Sequence, residues 1–140
     1  MKVAVVYWSG TGNTETMAAA VTQGAKSAGA EVDMLTAAEF DASKVELYDA
    51  IAFGCPAMGE ESLEEEVFAP MFESVQGALG GKKIALFGSY GWGEREWMQK
   101  WEEQCAECGA VLACDSVTCM AEPDADALDT CNQLGSTLAQ

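Results

Sequence analysis

Five short apolar runs alternate along this chain with segments of helical periodicity: Val3 to Tyr7, Glu31 to Leu35, Ala50 to Gly54, Ile84 to Gly88 and Ala110 to Cys114. Several are apolar at nearly every position rather than at every second one, as in strands covered on both faces. The first intervening segment places Met17, Ala18, Val21, Ala25 and Ala28 on one helical face and stops at Gly29, a C′ residue. Residues 37–49 read as a polar connection with a turn of helix. The third crossover opens with Ser62-x-x-Glu65, the spacing of a capping box. Pro70 interrupts it, so a second reading starts the regular helix there, with Met71, Phe72, Val75 and Leu79 inward and Gly80-Gly81 at its end. A last helix, from about Asp124, turns Leu128, Cys131, Leu134 and Leu138 to one side. Strand–helix alternation of this kind dictates an α/β domain, a doubly wound parallel sheet with right-handed crossovers and helices on both faces. Its ligands sit outside the carboxyl ends of the strands, where the strand order reverses.

Three loops at those ends have unusual composition. The first, Trp8-Ser9-Gly10-Thr11-Gly12-Asn13-Thr14, joins a strand to a helix beginning at Thr14. Its glycines let backbone amides turn inward, its side chains carry hydroxyls and an amide, and the helix adds free N–H donors and a positive dipole end. That is an anion site, and phosphate is the usual anion. The loop lacks the Lys-Ser/Thr of a nucleoside-triphosphate loop and the third glycine of a dinucleotide fingerprint. With no Lys or Arg in it, it suits a terminal phosphomonoester held by neutral donors. The plain alternative is a glycine-rich strand-to-helix turn.

The other two loops are Cys55-Pro-Ala-Met-Gly-Glu-Glu61 and Ser89-Tyr-Gly-Trp-Gly-Glu94. Trp92, flanked by glycines, has little local packing to bury it unless it lies under a loop as ordinary core. A flat ring held between Trp92 and the polarizable thioether of Met58 would cover it. Phosphate at one end and a flat ring at the other describe flavin mononucleotide, FMN.

Composition narrows the partners. The chain carries 23 acidic residues against 7 basic ones, a net charge of −16. That argues against nucleic acid and anionic membrane surfaces, and favours basic protein partners met by electrostatic steering, although acidity can also serve solubility alone. No apolar run reaches the ~20 residues that span a bilayer, and Met1-Lys2 leads straight into a strand without a signal pattern, so a cytoplasmic protein is expected. With 140 residues, one domain over positions 1–140 is expected. There is no histidine, which removes the commonest acid–base and transition-metal residue. Of six cysteines, Cys105, Cys108, Cys114 and Cys119 have a tempting metal spacing. Yet Trp97, Met98, Trp101, Cys105 and Cys108 share one helical face, and Cys114 closes a strand, so these thiols read as core, with no metal.

The loops Ser9-Gly-Thr-Gly-Asn-Thr14, Pro56-Ala-Met-Gly59 and Gly88-Ser-Tyr-Gly-Trp-Gly93 together resemble the three flavin loops of flavodoxins of the short-chain clostridial type, and the resemblance covers essentially the whole chain. It implies the flavodoxin-like doubly wound five-stranded parallel sheet in the order 2-1-3-4-5, a fold that is itself a type example of the switch-point rule. It also implies an FMN site. Ser9, Gly10, Thr11, Gly12, Asn13 and Thr14 hold the phosphate, with a hydroxyl from Ser89 and Trp8 packed beside the phosphate and ribityl chain. Met58 and Trp92 flank the ring, Glu61 accepts from flavin N3–H, and the Met58–Gly59 peptide faces N5. Pro56, Ala57, Tyr90, Gly91 and Gly93 complete the loops. Glu60 stands where the family is less regular, as a solvated charge or one that lowers the potential.

The activity so implied is that of a monomeric, low-potential one-electron carrier, shuttling FMN between semiquinone and hydroquinone for redox partner proteins with basic docking patches. It has no catalytic residues and is no enzyme. The alternative is an FMN-dependent NAD(P)H or quinone reductase, for which the compact chain has no insertion to build a substrate site. A phosphorylated receiver domain is disfavoured because Gly54-Cys55 stands where a phosphoacceptor Asp is needed. The stacking role of Trp92 is testable. Trp92→Ala should weaken FMN binding by ~1–3 kcal/mol, the scale of comparable ring stacking. Unchanged affinity in a fluorescence titration of the apoprotein would contradict that role.

Overall fold

Apolar residues on both faces of each central strand separate into two cores. Ala4, Val6, Ile51, Phe53, Ile84 and Leu86 point into one, and Val3, Val5, Ala50, Ala52, Ala85 and Phe87 into the other. The computed structural model, which describes residues 1–58, 62–91, 93 and 95–140, arranges these strands as a parallel sheet. The strands are β1 (Lys2–Tyr7), β2 (Glu31–Thr36), β3 (Ala50–Gly54), β4 (Lys83–Tyr90), β5 (Val111–Leu112) and β6 (Val117–Met120). Their order is β2-β1-β3-β4-β5, with β6 also paired to β4. Every pairing is parallel. Among the described residues four helices cover the sheet, α1 (Asn13–Ser27), α2 (Phe68–Val75), α3 (Glu96–Glu107) and α4 (Ala125–Leu138). Residues of α2 and α3 pack with the first core, those of α1 and α4 with the second. Residues 37–49 contain two short 3-10 segments, Ala37–Glu39 and Ala42–Leu47.

Two expectations need correcting. The run Ala110 to Cys114 is not one strand. β5 pairs with the start of β4 (Ile84 opposite Leu112) and β6 with its end (Phe87 opposite Val117), so the chain carries two more residues than β4 over the same stretch. Those residues loop out around Asp115, where the Ser116 hydroxyl donates to Glu102 at 2.7 Å. Cys114 therefore stands in the looped-out segment rather than closing a strand.

Nor does Ser62-x-x-Glu65 cap a helix. α2 begins at Phe68, with Pro70 tolerated in its first turn. Its amides are met by Glu64, whose carboxylate accepts from the N–H groups of Glu66, Val67 and Phe68, each at 2.7 Å. Met71, Phe72, Val75 and Leu79 are buried as expected. So are Trp97, Met98, Trp101 and Cys105 on α3, while Cys108 is half-buried. All six cysteines are free thiols.

α1 and α4 meet through glycine. A Cβ on Gly135 would overlap the carbonyl oxygen of Val21, and one on Gly24 would overlap that of Asn132. Backbone must move to admit a methyl there, so Gly135→Ala should cost about 1–3 kcal/mol in a urea titration. An unchanged midpoint would contradict the close contact. A second expectation concerns Glu64. Burial pushes its carboxyl up, but three backbone amides outweigh that and hold it below its ordinary value of 4.5. A depressed folded pKa means that its contribution to stability is complete above the unfolded value and is lost as pH falls through the lower folded one. Glu64→Gln should flatten that acid limb of the stability curve, and an unaltered limb would show that the carboxylate is not what titrates.

Candidate functional site

The loops after β1, β3 and β4 leave the carboxyl edge of the sheet where strand order reverses between β1 and β3, and they enclose an open cleft of about 340 Å³. Trp8 N–H donates to the Gly54 carbonyl at 3.0 Å, tying the first loop to the end of β3. Gly12 sits at φ 99° as the N-cap of α1, a left-handed conformation that glycine adopts without the penalty a Cβ brings. Its N–H donates to Ser9 Oγ at 3.1 Å, and its carbonyl accepts from the Thr16 amide and hydroxyl at 3.0 and 2.9 Å.

Among the described residues no side chain caps α1. The amides of Asn13, Thr14 and Glu15 in its first turn consequently have no acceptor within the helix. Beside them lie the hydroxyls of Thr14 and Ser89, 3.3 Å apart, on residues 1% and 5% exposed. Orphan helix amides and hydroxyls with no cation are a donor set for a phosphate, and they fit the FMN phosphate.

From this polar end the cleft opens between apolar walls. Ala57 N–H donates to the Ser89 carbonyl at 2.9 Å, fastening the loop after β3 to β4, and Met58 N–H donates to the Ser62 carbonyl at 2.9 Å. Trp8, Ser9, Gly10, Thr11, Asn13 and Thr14 line the cleft from the first loop, Pro56, Ala57 and Met58 from the second, and Ser89, Tyr90 and Gly91 from the third. Tyr90 is braced from behind by Trp97, with ring centroids 5.5 Å apart. Gly12 supports the cleft as N-cap without lining it, and Gly93, exposed at φ 88°, is not on its wall. Gly59, Glu61 and Trp92, together with Glu60 and Glu94, lie outside the described residues.

One lining residue escaped the sequence reading. Ala121, after β6, holds φ 58° and donates its N–H to the Tyr90 carbonyl at 2.7 Å. Nothing in an alanine announces a left-handed residue, and its place in the cleft follows from β6, which was itself not foreseen.

Behind the cleft, the wholly buried Cys55 has its thiol pushed up to about 12 by burial, against the N–H that Glu64 donates to it, so it stays protonated and unreactive. The Tyr7 phenol is raised by burial and by its hydrogen bond to Glu15, and it too stays neutral. Among the described residues no group of His, Cys, Asp or Glu is arranged to hold a metal, and no helix is long and apolar enough to cross a membrane.

Fold and cleft together define a mononucleotide-binding doubly wound domain. Residues 5–135 match the family model described as Flavodoxin. The chain is 41% identical to the flavodoxin of Megasphaera elsdenii over 138 residues, covering 99% of this chain and 98% of that one. It is 39% identical to the flavodoxin of Clostridium beijerinckii over 135 residues, covering 96% and 97%. A solution structure of two-electron reduced Megasphaera elsdenii flavodoxin matches it with a TM-score of 0.89 at 42% identity, over 98% of both chains. The chain belongs to the flavodoxin family. It is an FMN-binding electron carrier rather than an enzyme.

If neutral donors hold the phosphate, an added carboxylate in the cradle must repel it. Two unit charges 4 Å apart at an effective dielectric near 20 interact by about 4 kcal/mol, so Asn13→Asp should raise the FMN dissociation constant by at least about tenfold. Gln133→Glu, the same change in charge on the exposed side of α4, should not. Equal losses in the two variants would mean that only overall charge matters.

Proposed function

We propose that the chain is a monomeric, cytoplasmic, low-potential one-electron carrier, a single domain over residues 1–140, that serves redox proteins docking through basic patches. The observation that carries this reading is the uncapped start of α1, with its neutral hydroxyls, opening directly into an apolar cleft at the switch point. FMN supplies the electron-carrying chemistry. The chain's residues hold and tune it. Ser9, Thr11, Asn13, Thr14 and Ser89, with the amides of the first loop, bind the phosphate. Trp8 lies beside it, and Met58 and Tyr90 shield the ring from water; the resemblance adds Trp92 flanking the ring, Glu61 accepting from flavin N3–H and the Met58–Gly59 peptide facing N5.

The chain's charge bears on the direction of electron flow. An acidic, water-poor site disfavours any added negative charge, which lowers the potential. Charge is also unevenly distributed. Lys2, Lys82 and Lys83 stand at the amino ends of β1 and β4, and Lys26 in the last turn of α1, all at the sheet edge opposite the cleft. Glu64, Glu65, Glu66, Glu96, Asp124 and Asp126 lie at the starts of α2, α3 and α4, on the cleft's side of the sheet, where they outnumber Arg95, the N-cap of α3. Such a separation orients the acidic, cleft-bearing end toward a basic partner during encounter.

Electron transfer to a basic redox protein, followed by stopped flow, tests this. The screening length falls from about 30 Å at 0.01 M salt to about 8 Å at 0.15 M, so the second-order rate should drop steeply over that range. A rate that stays flat would contradict docking through the acidic end.

A further inference from the structure

The segment that carries Met58 is closed at its base by Glu64, a residue the FMN assignment leaves without a role. Glu64 is 5% exposed. Beyond the three amides that its carboxylate accepts, its own N–H donates to Cys55 Sγ at 3.4 Å and its carbonyl accepts from Ala69 N–H at 2.8 Å. Cys55 joins the remaining parts of the site. Its N–H donates to the Phe87 carbonyl at 3.1 Å and its carbonyl accepts from Trp97 Nε1 at 3.2 Å. A Cβ on Gly88 would overlap that same carbonyl. One buried node thus links the end of β3, the end of β4, α3 and the start of α2.

We propose that Glu64 is a positioning residue for the flavin, holding the base of the 55–64 segment so that Met58 is presented to the ring before the cofactor arrives. The inference rests on FMN lying in the cleft. A wall already in place binds without the cost of ordering it, and a wall released from its base must be ordered on binding. A glutamine at position 64 keeps the shape of the side chain. It turns an NH2 group toward an amide that the carboxylate accepted, however, setting donor against donor.

The test uses Glu64→Gln beside Gly135→Ala, which loosens the α1–α4 contact away from the second and third loops. Both variants should unfold at lower urea. In FMN titrations of the apoproteins, Glu64→Gln should raise the dissociation constant about tenfold, the equivalent of one lost hydrogen bond to a charged group. Gly135→Ala should leave it unchanged. Wild-type affinity in Glu64→Gln, or losses in both variants that track lost stability, would overturn the proposal. Should Glu64→Gln fail to fold, Glu64→Asp keeps the charge and shortens its reach to the three amides. Weaker FMN binding in that variant supports the proposal, and unaltered binding overturns it. Wild-type protein that did not bind FMN would instead overturn the cofactor assignment itself.

Discussion

Among the described residues no side chain caps the amino end of α1, and the site depends on that. Elsewhere the protein meets this need itself. Asp124 accepts from Ala127 N–H at 2.8 Å at the start of α4, and Glu64 takes the amides of Glu66, Val67 and Phe68 leading into α2. Among the described residues α3 also lacks a side-chain cap, so an uncapped end is not enough to mark a site. At α1 the free amides converge with the Thr14 and Ser89 hydroxyls at the mouth of an apolar cleft, and the acceptor has to come from outside. The left-handed Gly12 makes the turn possible, and the double-sided burial of β1, β3 and β4 holds the turn rigidly in place.

The described lining of the cleft holds no Lys or Arg, and the chain is strongly acidic; the two facts belong together. A lysine in the cradle would draw the potential of a bound flavin upward, whereas neutral dipoles hold the anion and leave the acidic field unopposed.

Much of this was legible in the residues. Runs such as Ala50 to Gly54, apolar at every position, suit strands covered on both faces, and the glycine and hydroxyl pattern from Ser9 to Thr14 falls at the mouth of the cleft. What was not legible depends on pairing between distant segments. The split of the fifth strand follows from a two-residue excess that exists only relative to β4, and Ala121 reaches the cleft only because β6 does. Ser62 and Glu65 had the spacing of a capping box, yet Glu64 won the amides because its buried carboxylate accepts three of them at once. Local pattern names candidates, and packing chooses among them.

The central claim is that the phosphate end of the cofactor is gripped by the start of α1. The most direct measurement is the affinity of the wild-type apoprotein for FMN against riboflavin, which has the same ring and no phosphate. Two charge-assisted hydrogen bonds at the low end of about 1.5–3 kcal/mol each correspond to a preference of about a hundredfold or more for FMN. Equal affinity for the two flavins would mean that the cradle does not hold the phosphate, and the account would be wrong at its foundation.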